Sequence, residues 1–125
     1  MFSVKSVGFA LCLGTVMTAA YGAERQVSFK QEVMPILQQH CVQCHGPGGK
    51  GQTQSGLLLD SYQHLMKGTK YGPVVVPGNS LSSVFNQVVE GRVDKSIAMP
   101  HGGEALPEAT IKVLKHWVDQ GAKDN

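Results

Sequence analysis

Two thiols and an imidazole lie within five consecutive residues of this sequence. Cys41 and Cys44 are separated by two residues, and His45 follows the second cysteine directly, in the stretch CVQCHGPGGKG. One turn of helix can present both sulfur atoms and the imidazole to a single ligand. Four chemistries use such a group: a zinc site, a redox-active dithiol, a structural disulfide, or a covalently attached cofactor.

Three of these chemistries have little support elsewhere in the chain. A structural zinc site needs four closed ligands, but there is no second cysteine pair and the other histidines form no recognisable ligand pair. A redox dithiol needs a thioredoxin-like pattern of strands and helices around Cys41, whereas helical patterns surround it. A plain disulfide leaves His45 unexplained. The other histidines are His40, His64, His101 and His116.

Cys-x-x-Cys-His is the attachment sequence of a c-type haem. Each cysteine forms a thioether with a vinyl group of the porphyrin, and the histidine ligates the iron from the proximal side. The sequence therefore predicts one haem c per chain, bound through Cys41 and Cys44 and ligated by His45. Five glycines between Gly46 and Gly56 support this prediction, because so flexible a segment needs an apolar partner to order it.

A helical pattern leads into the motif. Residues 28–41, SFKQEVMPILQQHC, begin with Ser28 and Gln31 at the spacing of a capping box. Pro35 removes one hydrogen-bond donor and crowds the preceding turn, so this helix is expected to kink or restart there.

Three further helices are predicted, within residues 60–68, 79–91 and 106–122. Residues 46–59 show little regular pattern, and no segment has the sustained alternation typical of a strand. The predicted fold class is therefore all-α. The buried face of the helix in 79–91 is predicted to comprise Leu81, Val84, Phe85 and Val88, and that of the last helix Ile111, Leu114, Trp117 and Val118.

A methionine is the best candidate for the second axial position of the iron. Met34 and Met66 lie in predicted helices, where packing is the usual role of methionine. Met99 lies in the non-helical stretch KSIAMPHGG, from which a loop can place a thioether over the iron. His101 and His64 stay open as alternative ligands.

Residues 1–23 have the pattern of a secretory signal peptide. A positive charge at Lys5 precedes an uncharged apolar run, and small residues lead to a cleavage point near Gly22 or Ala23. An uncleaved membrane anchor is the alternative, but the apolar run is short for a span of about 20 residues. The remaining residues, 24–125, are predicted to form one domain.

Export would place Cys41 and Cys44 in an oxidising compartment. Idle neighbouring thiols become oxidised outside the cytoplasm, so Cys41 and Cys44 need a purpose. Without the leader, which contains Lys5 and Cys12, 10 basic residues face 9 acidic ones. This balance gives no reason to expect binding to nucleic acid or to an anionic membrane. We therefore expect a periplasmic or otherwise exported protein without firm membrane association after cleavage.

The sequence resembles class I c-type cytochromes, and most closely planctomycete-type cytochrome c domains. The matching stretches follow the family's order over residues 29–122: VMPILQQHCVQCHG, GLLLDSYQHLMKG, VVPGNSLSSVF, AMPHGGEALP and IKVLKHWVDQGA. The resemblance implies a small class I cytochrome c-like fold, with helices wrapped around one covalently attached haem. It also implies that the first and last helices cross and pack.

The resemblance implies a role for each site residue. Cys41 and Cys44 carry the thioethers, His45 is the proximal ligand and Met99 is the distal ligand. The chain has MPH where the family commonly has MPP, and this departure puts a second possible ligand, His101, close to Met99.

A histidine and a methionine together fill both axial positions of the iron. Oxygen and peroxide then lack easy access, and outer-sphere electron transfer is the chemistry that remains. The predicted function is a non-enzymatic one-electron carrier between transient redox protein partners. A labile sixth ligand would instead allow a peroxidase or a gas sensor. The chain could also be the haem subunit of a larger oxidoreductase complex.

Removal of both thioether sites tests whether the haem supplies part of the core. In Cys41→Ala/Cys44→Ala no haem can be attached covalently, and we expect a poorly folded chain because the glycine-rich segment loses the surface that orders it. Circular dichroism and thermal melting of the exported protein check this. A haem-free variant that melts cooperatively with native-like helix content would contradict it.

Overall fold

The computed structural model describes Met1 and residues 22–125. Residues 2–21, which include Cys12 and most of the predicted signal peptide, lie outside the described residues. The described chain is helical and without strands, as predicted. Among residues 22–125, no helix combines the length and the hydropathy that crossing a membrane requires. A π-helical turn, Phe29–Val33, precedes α1 Met34–His40, α2 Val42–His45, α3 Lys50–Ser55, α4 Tyr62–Lys67, α5 Val84–Val89 and α6 Glu108–Asp119.

Ser28 caps the first helical segment, as predicted, but its reciprocal partner is Glu32 and not Gln31. The Ser28 hydroxyl accepts a hydrogen bond from the Gln31 N–H (3.2 Å), and the Glu32 carboxylate accepts one from the Ser28 N–H (3.0 Å). The Val33 N–H bonds the Ser28 carbonyl (3.2 Å) in the π-helical turn. This wider turn brings the fourth residue after the cap, in place of the third, opposite the Ser28 N–H.

Pro35 restarts the helix, as predicted. The π-helical turn ends directly before Met34, where α1 begins with Pro35 in its first turn. The first turn of a helix tolerates proline because its N–H groups have no intrahelical partner. α1 ends at His40, and the Cys41 N–H bonds the Leu37 carbonyl (2.8 Å). The attachment motif therefore starts at the end of this helix.

α5 is shorter than predicted, and part of its predicted buried face is wrong. The helix begins at Val84, several residues later than the pattern indicates. Leu81, at 66% exposure, and Val84, at 47%, face solvent. Phe85 and Val89 are buried, and Val88 packs partly buried against the core.

Hydrogen bonds of Ser83 explain the late start of α5. Its buried hydroxyl donates to the Asn79 carbonyl (2.8 Å) and accepts from the Val76 N–H (2.8 Å). Residues 80–82 form turns around this hydroxyl and do not continue into the helix. Ser83 therefore occupies the N-cap position of α5.

The first and last helical segments pack through aromatic rings, as the resemblance implies. The ring centroid of Phe29 lies 5.4 Å from that of Trp117 and 5.3 Å from that of Tyr62. The Trp117 indole donates to the Lys123 carbonyl and the Tyr62 hydroxyl to the Ala122 carbonyl, both at 2.9 Å. Each ring therefore buries its apolar body with its polar atom bonded. Other fully buried apolar side chains include Val33, Leu37, Leu65, Leu114 and Val118.

Leu114 and Leu81 form a matched pair, because the sequence predicts both to be buried and the structure buries only Leu114. Leu114→Ala leaves a cavity and is expected to lower the free energy of unfolding by about 2–5 kcal/mol. Leu81→Ala is expected to change it by less than about 0.5 kcal/mol. Chemical denaturation measures both variants. Equal losses would contradict this packing.

Candidate functional site

A short helix brings the two thiols and the imidazole together. Cys41 is the N-cap of α2, and the N–H groups of Cys44 (3.1 Å) and His45 (2.8 Å) both bond the Cys41 carbonyl. Both thiols are free, and Cys44 is exposed. Burial raises the pKa of the Cys41 thiol to about 11, with a further contribution from the nearby Cys44. The three predicted attachment residues thus lie on one helical turn.

The His45 side chain is buried, and a hydrogen bond sets its orientation. Its Nδ1 atom lies 3.2 Å from the Leu57 carbonyl oxygen. A carbonyl oxygen only accepts, so Nδ1 carries a proton, and in the neutral imidazole the lone pair is then on Nε2. The His45 carbonyl also accepts from the Leu59 N–H (2.8 Å). The segment from Leu57 to Leu59 therefore holds both the ring and the main chain of this residue.

A helix, α3, follows the motif where the sequence predicts only a loop. The expectation of irregular structure throughout residues 46–59 is wrong for this part. Gly56 directly follows α3 and has a left-handed backbone conformation, with φ +77°. Glycine commonly ends a helix in this way. The Thr53 hydroxyl donates to the Gly49 carbonyl (2.9 Å) and the Ser55 hydroxyl to the Gly51 carbonyl (2.6 Å). Both hydroxyls are therefore satisfied by nearby main-chain groups.

α3 packs against the His45 ring at Gly51. A Cβ atom at Gly51 would lie 2.6 Å from Cε1 and 2.8 Å from Nε2 of His45, which is closer than packed atoms approach. A Cβ atom at Gly49 would lie 2.3 Å from the Cys44 carbonyl oxygen. Glycine at these two positions allows the chain to close around the imidazole.

Met99 lies in the loop between α5 and α6 and is half-buried against the core. Its N–H bonds the Val88 carbonyl of α5 (2.9 Å), which anchors this part of the loop. Met99 also lines a cavity of about 200 Å³ between the loop, the end of α5 and α6. The structure thus gathers Cys41, Cys44 and His45 on α2 and presents Met99 from a separate loop.

The other candidate ligands have different surroundings. His64 lies in α4, and its Nδ1 atom pairs at 2.5 Å with Oδ1 of Asp60, which precedes the helix. His101 lies exposed in the turn after Pro100. Met34 and Met66 pack partly buried against the core, which is the packing role that the sequence predicts.

The donor set of α2 fits a c-type haem. Two free thiols on one helical turn can form thioethers, and the Nε2 lone pair of His45 can ligate iron. Within residues 22–125, no three His, Cys, Asp or Glu side chains gather in a way that could hold a metal ion. A zinc site therefore has no ligand set in the described part of the chain.

Comparison with protein families gave a match that includes the attachment motif. Residues 41–102 match the family model described as Planctomycete cytochrome C. This segment belongs to the planctomycete cytochrome c family. The match begins at Cys41 and extends beyond Met99, so it contains every predicted haem-binding residue. Comparison with curated proteins and with solved structures gave no match.

Membership of this family confirms the resemblance inferred from the sequence. The family implies covalently bound haem c and suggests electron transfer as the function of the cytochrome c domain. It also disfavours a redox dithiol or a plain disulfide as the role of Cys41 and Cys44, since both sulfurs are needed for the thioethers.

Three contacts of the cytochrome c site were missed from the sequence. The carbonyls of Leu57 and Val88 are main-chain groups, which any residue type supplies. The contact of Gly51 with the ring of His45 had a signal in the glycine-rich run, but that run did not show which glycine was essential.

Gly51→Ala tests the packing of α3 on the imidazole. The added methyl group forces the His45 ring or α3 to move, so we expect a changed haem spectrum and a loss of stability despite the gain in helix propensity of about 1 kcal/mol. Gln54→Ala, at an exposed position of α3, is the matched control and should leave both unchanged. An unaltered spectrum and melting temperature in Gly51→Ala would contradict the contact.

Proposed function

We propose that this cytochrome c domain is an exported one-electron carrier with one haem c, attached through Cys41 and Cys44 and ligated by His45 and Met99. One observation carries the proposal: a buried imidazole, with Nδ1 bonded to the Leu57 carbonyl, directly follows two free thiols. When bound, the haem supplies an iron centre that takes up and releases one electron.

The hydrogen bond to Leu57 supports the proximal role of His45. It restricts rotation of the ring and, in the neutral imidazole, leaves the lone pair on Nε2. Gly51 packs against the same ring. These contacts hold the imidazole in one position, so that little rearrangement needs to accompany a change of oxidation state.

The surroundings of Met99 support a distal role. A thioether is a neutral ligand that favours ferrous iron and raises the reduction potential. The bond from the Met99 N–H to the Val88 carbonyl fixes the loop, while the half-buried side chain borders a cavity. With His45 and Met99 as ligands, the iron would be closed to oxygen and peroxide, and electron transfer would be the chemistry that the haem supplies.

A labile sixth ligand is the second candidate, and the loop between α5 and α6 favours it. Most residues from Gly91 to Ala105 are exposed, and within this stretch Met99 is anchored to α5 through one main-chain bond. If Met99 left the iron, the protein could act on peroxide or bind a gas. Carbon monoxide binding to the reduced protein separates this candidate from the carrier.

The proposed partners are other redox proteins, met outside the cytoplasm after the signal peptide is removed. Transient contacts of this kind bury less than about 1,200 Å² in total, and the nearly balanced charge provides little long-range steering. We propose no binding to nucleic acid and no firm membrane association. A haem subunit of a larger oxidoreductase would instead copurify with a second polypeptide.

The optical spectrum tests the axial ligands. We expect low-spin iron in both oxidation states and a weak far-red sulfur-to-iron band in the ferric protein, and we expect Met99→Ala to abolish the band and admit carbon monoxide. Met66→Ala, another half-buried methionine, and His101→Ala are the controls and should keep the band. A wild-type protein that lacks the band or binds carbon monoxide readily would contradict His/Met ligation.

A further inference from the structure

The hydroxyl of Ser55, the last residue of α3, makes two hydrogen bonds. It donates to the Gly51 carbonyl (2.6 Å) and accepts from the Leu57 N–H (3.1 Å). In the part of the chain that the structure describes, this hydroxyl is the one acceptor of the Leu57 N–H. Main-chain N–H groups in packed regions need such a partner, so Leu57 depends on Ser55 for it.

Both partners of this hydroxyl contact the His45 ring. The Leu57 carbonyl oxygen lies 3.2 Å from Nδ1 of the imidazole. Gly51 packs so closely on the ring that a Cβ atom there would lie 2.6 Å from Cε1. The Ser55 hydroxyl therefore joins the two main-chain segments that determine where the imidazole lies.

Ser55 is itself anchored through its main chain. Its carbonyl accepts from the Lys70 N–H (2.9 Å), which belongs to a turn whose ends, Thr69 and Gly72, bond each other at 2.9 and 3.1 Å. The turn packs directly on the end of α3, because a Cβ atom at Gly56 would lie 3.0 Å from the Lys70 nitrogen. The hydroxyl therefore starts from a fixed position when it holds the other two segments.

Thr53 shows which of these bonds is particular to Ser55. The Thr53 hydroxyl also donates to the carbonyl four residues earlier, that of Gly49 (2.9 Å), as hydroxyl groups in helices commonly do. Within residues 22–125, however, it accepts from no N–H group. The bond from the Leu57 N–H thus distinguishes Ser55 from the other hydroxyl of α3.

We propose that Ser55 is a positioning residue for the proximal ligand His45. It acts through Leu57 and Gly51 and does not bond the imidazole itself. At the far end of the same segment, the Leu59 N–H bonds the His45 carbonyl (2.8 Å). Without the Ser55 hydroxyl this bond alone would hold the segment, and the Leu57 carbonyl could move away from Nδ1.

The consequence for the iron deepens the proposed function and rests on it. A carbonyl that accepts from the second ring nitrogen orients a metal-ligating imidazole and makes it a stronger electron donor. Stronger donation stabilises the ferric state, so it lowers the reduction potential that the thioether raises. By holding the Leu57 carbonyl in place, Ser55 keeps the potential lower than a loosely held imidazole would.

Ser55→Ala removes the hydroxyl and tests this role. We expect the His45 Nδ1 proton of the reduced protein to exchange with solvent roughly threefold faster or more, a factor that corresponds to the loss of one hydrogen bond. We also expect the midpoint potential to rise. NMR spectroscopy and a redox titration measure the two effects. Exchange at the wild-type rate overturns the positioning role, and an unchanged or lower potential overturns the effect on the iron.

Thr53→Ala and Ser55→Thr are the matched controls. Thr53→Ala removes a hydroxyl bond of the same kind from α3 but none to Leu57, so it should leave the exchange rate and the potential unchanged. Ser55→Thr keeps a hydroxyl at the position and should retain both wild-type values. If Thr53→Ala matches Ser55→Ala, the effect is a general loosening of α3 and the proposal is wrong. A Ser55→Thr variant that behaves like Ser55→Ala also contradicts it.

A crystal structure of the haem-loaded wild-type protein tests the site without any substitution, and it decides the question if Ser55→Ala does not fold. We expect Ser55 Oγ within hydrogen-bond distance of the Leu57 nitrogen and the Gly51 oxygen. A hydroxyl turned to solvent overturns the proposal. Failure of the proposed function is distinguishable, because a missing haem or a missing far-red band appears in the wild-type protein itself.

Discussion

The hydrogen bond from His45 Nδ1 to the Leu57 carbonyl is the interaction on which the site depends. It determines which ring nitrogen keeps a lone pair, and therefore which one can ligate iron. It also explains the course of the chain after the motif. The segment must turn back so that Leu57 reaches the imidazole. α3, which connects the motif to Leu57, can pack against the ring only because Gly51 has no side chain.

Two regions of the fold are stabilised in different ways. One end of the domain is held by side chains, where Phe29, Tyr62 and Trp117 bring the first and last helical segments together. The region after the motif is different, because α3 buries no side chain of its own. Helices of this length are not stable in isolation. A covalently bound haem would give this region the apolar surface that its glycines cannot provide.

Residue types predicted the parts of this protein that depend on side-chain chemistry. The spacing of Cys41, Cys44 and His45, without a second ligand pair elsewhere in the sequence, predicts haem attachment. The restart at Pro35 follows from its missing N–H. The features that the sequence did not predict depend on hydrogen bonds to main-chain groups. The late start of α5 follows from hydrogen bonds of the Ser83 hydroxyl, which the apolar periodicity of residues 79–91 does not contain. The carbonyls of Leu57 and Val88 are equally invisible in a sequence.

The most direct test of this account is the mass of the exported protein and of its proteolytic fragments, produced in cells competent for cytochrome c maturation. The account predicts a chain that carries the mass of one haem, located on the fragment that contains Cys41 and Cys44, with neither cysteine open to alkylation. A bare polypeptide in which both thiols can be alkylated would contradict it.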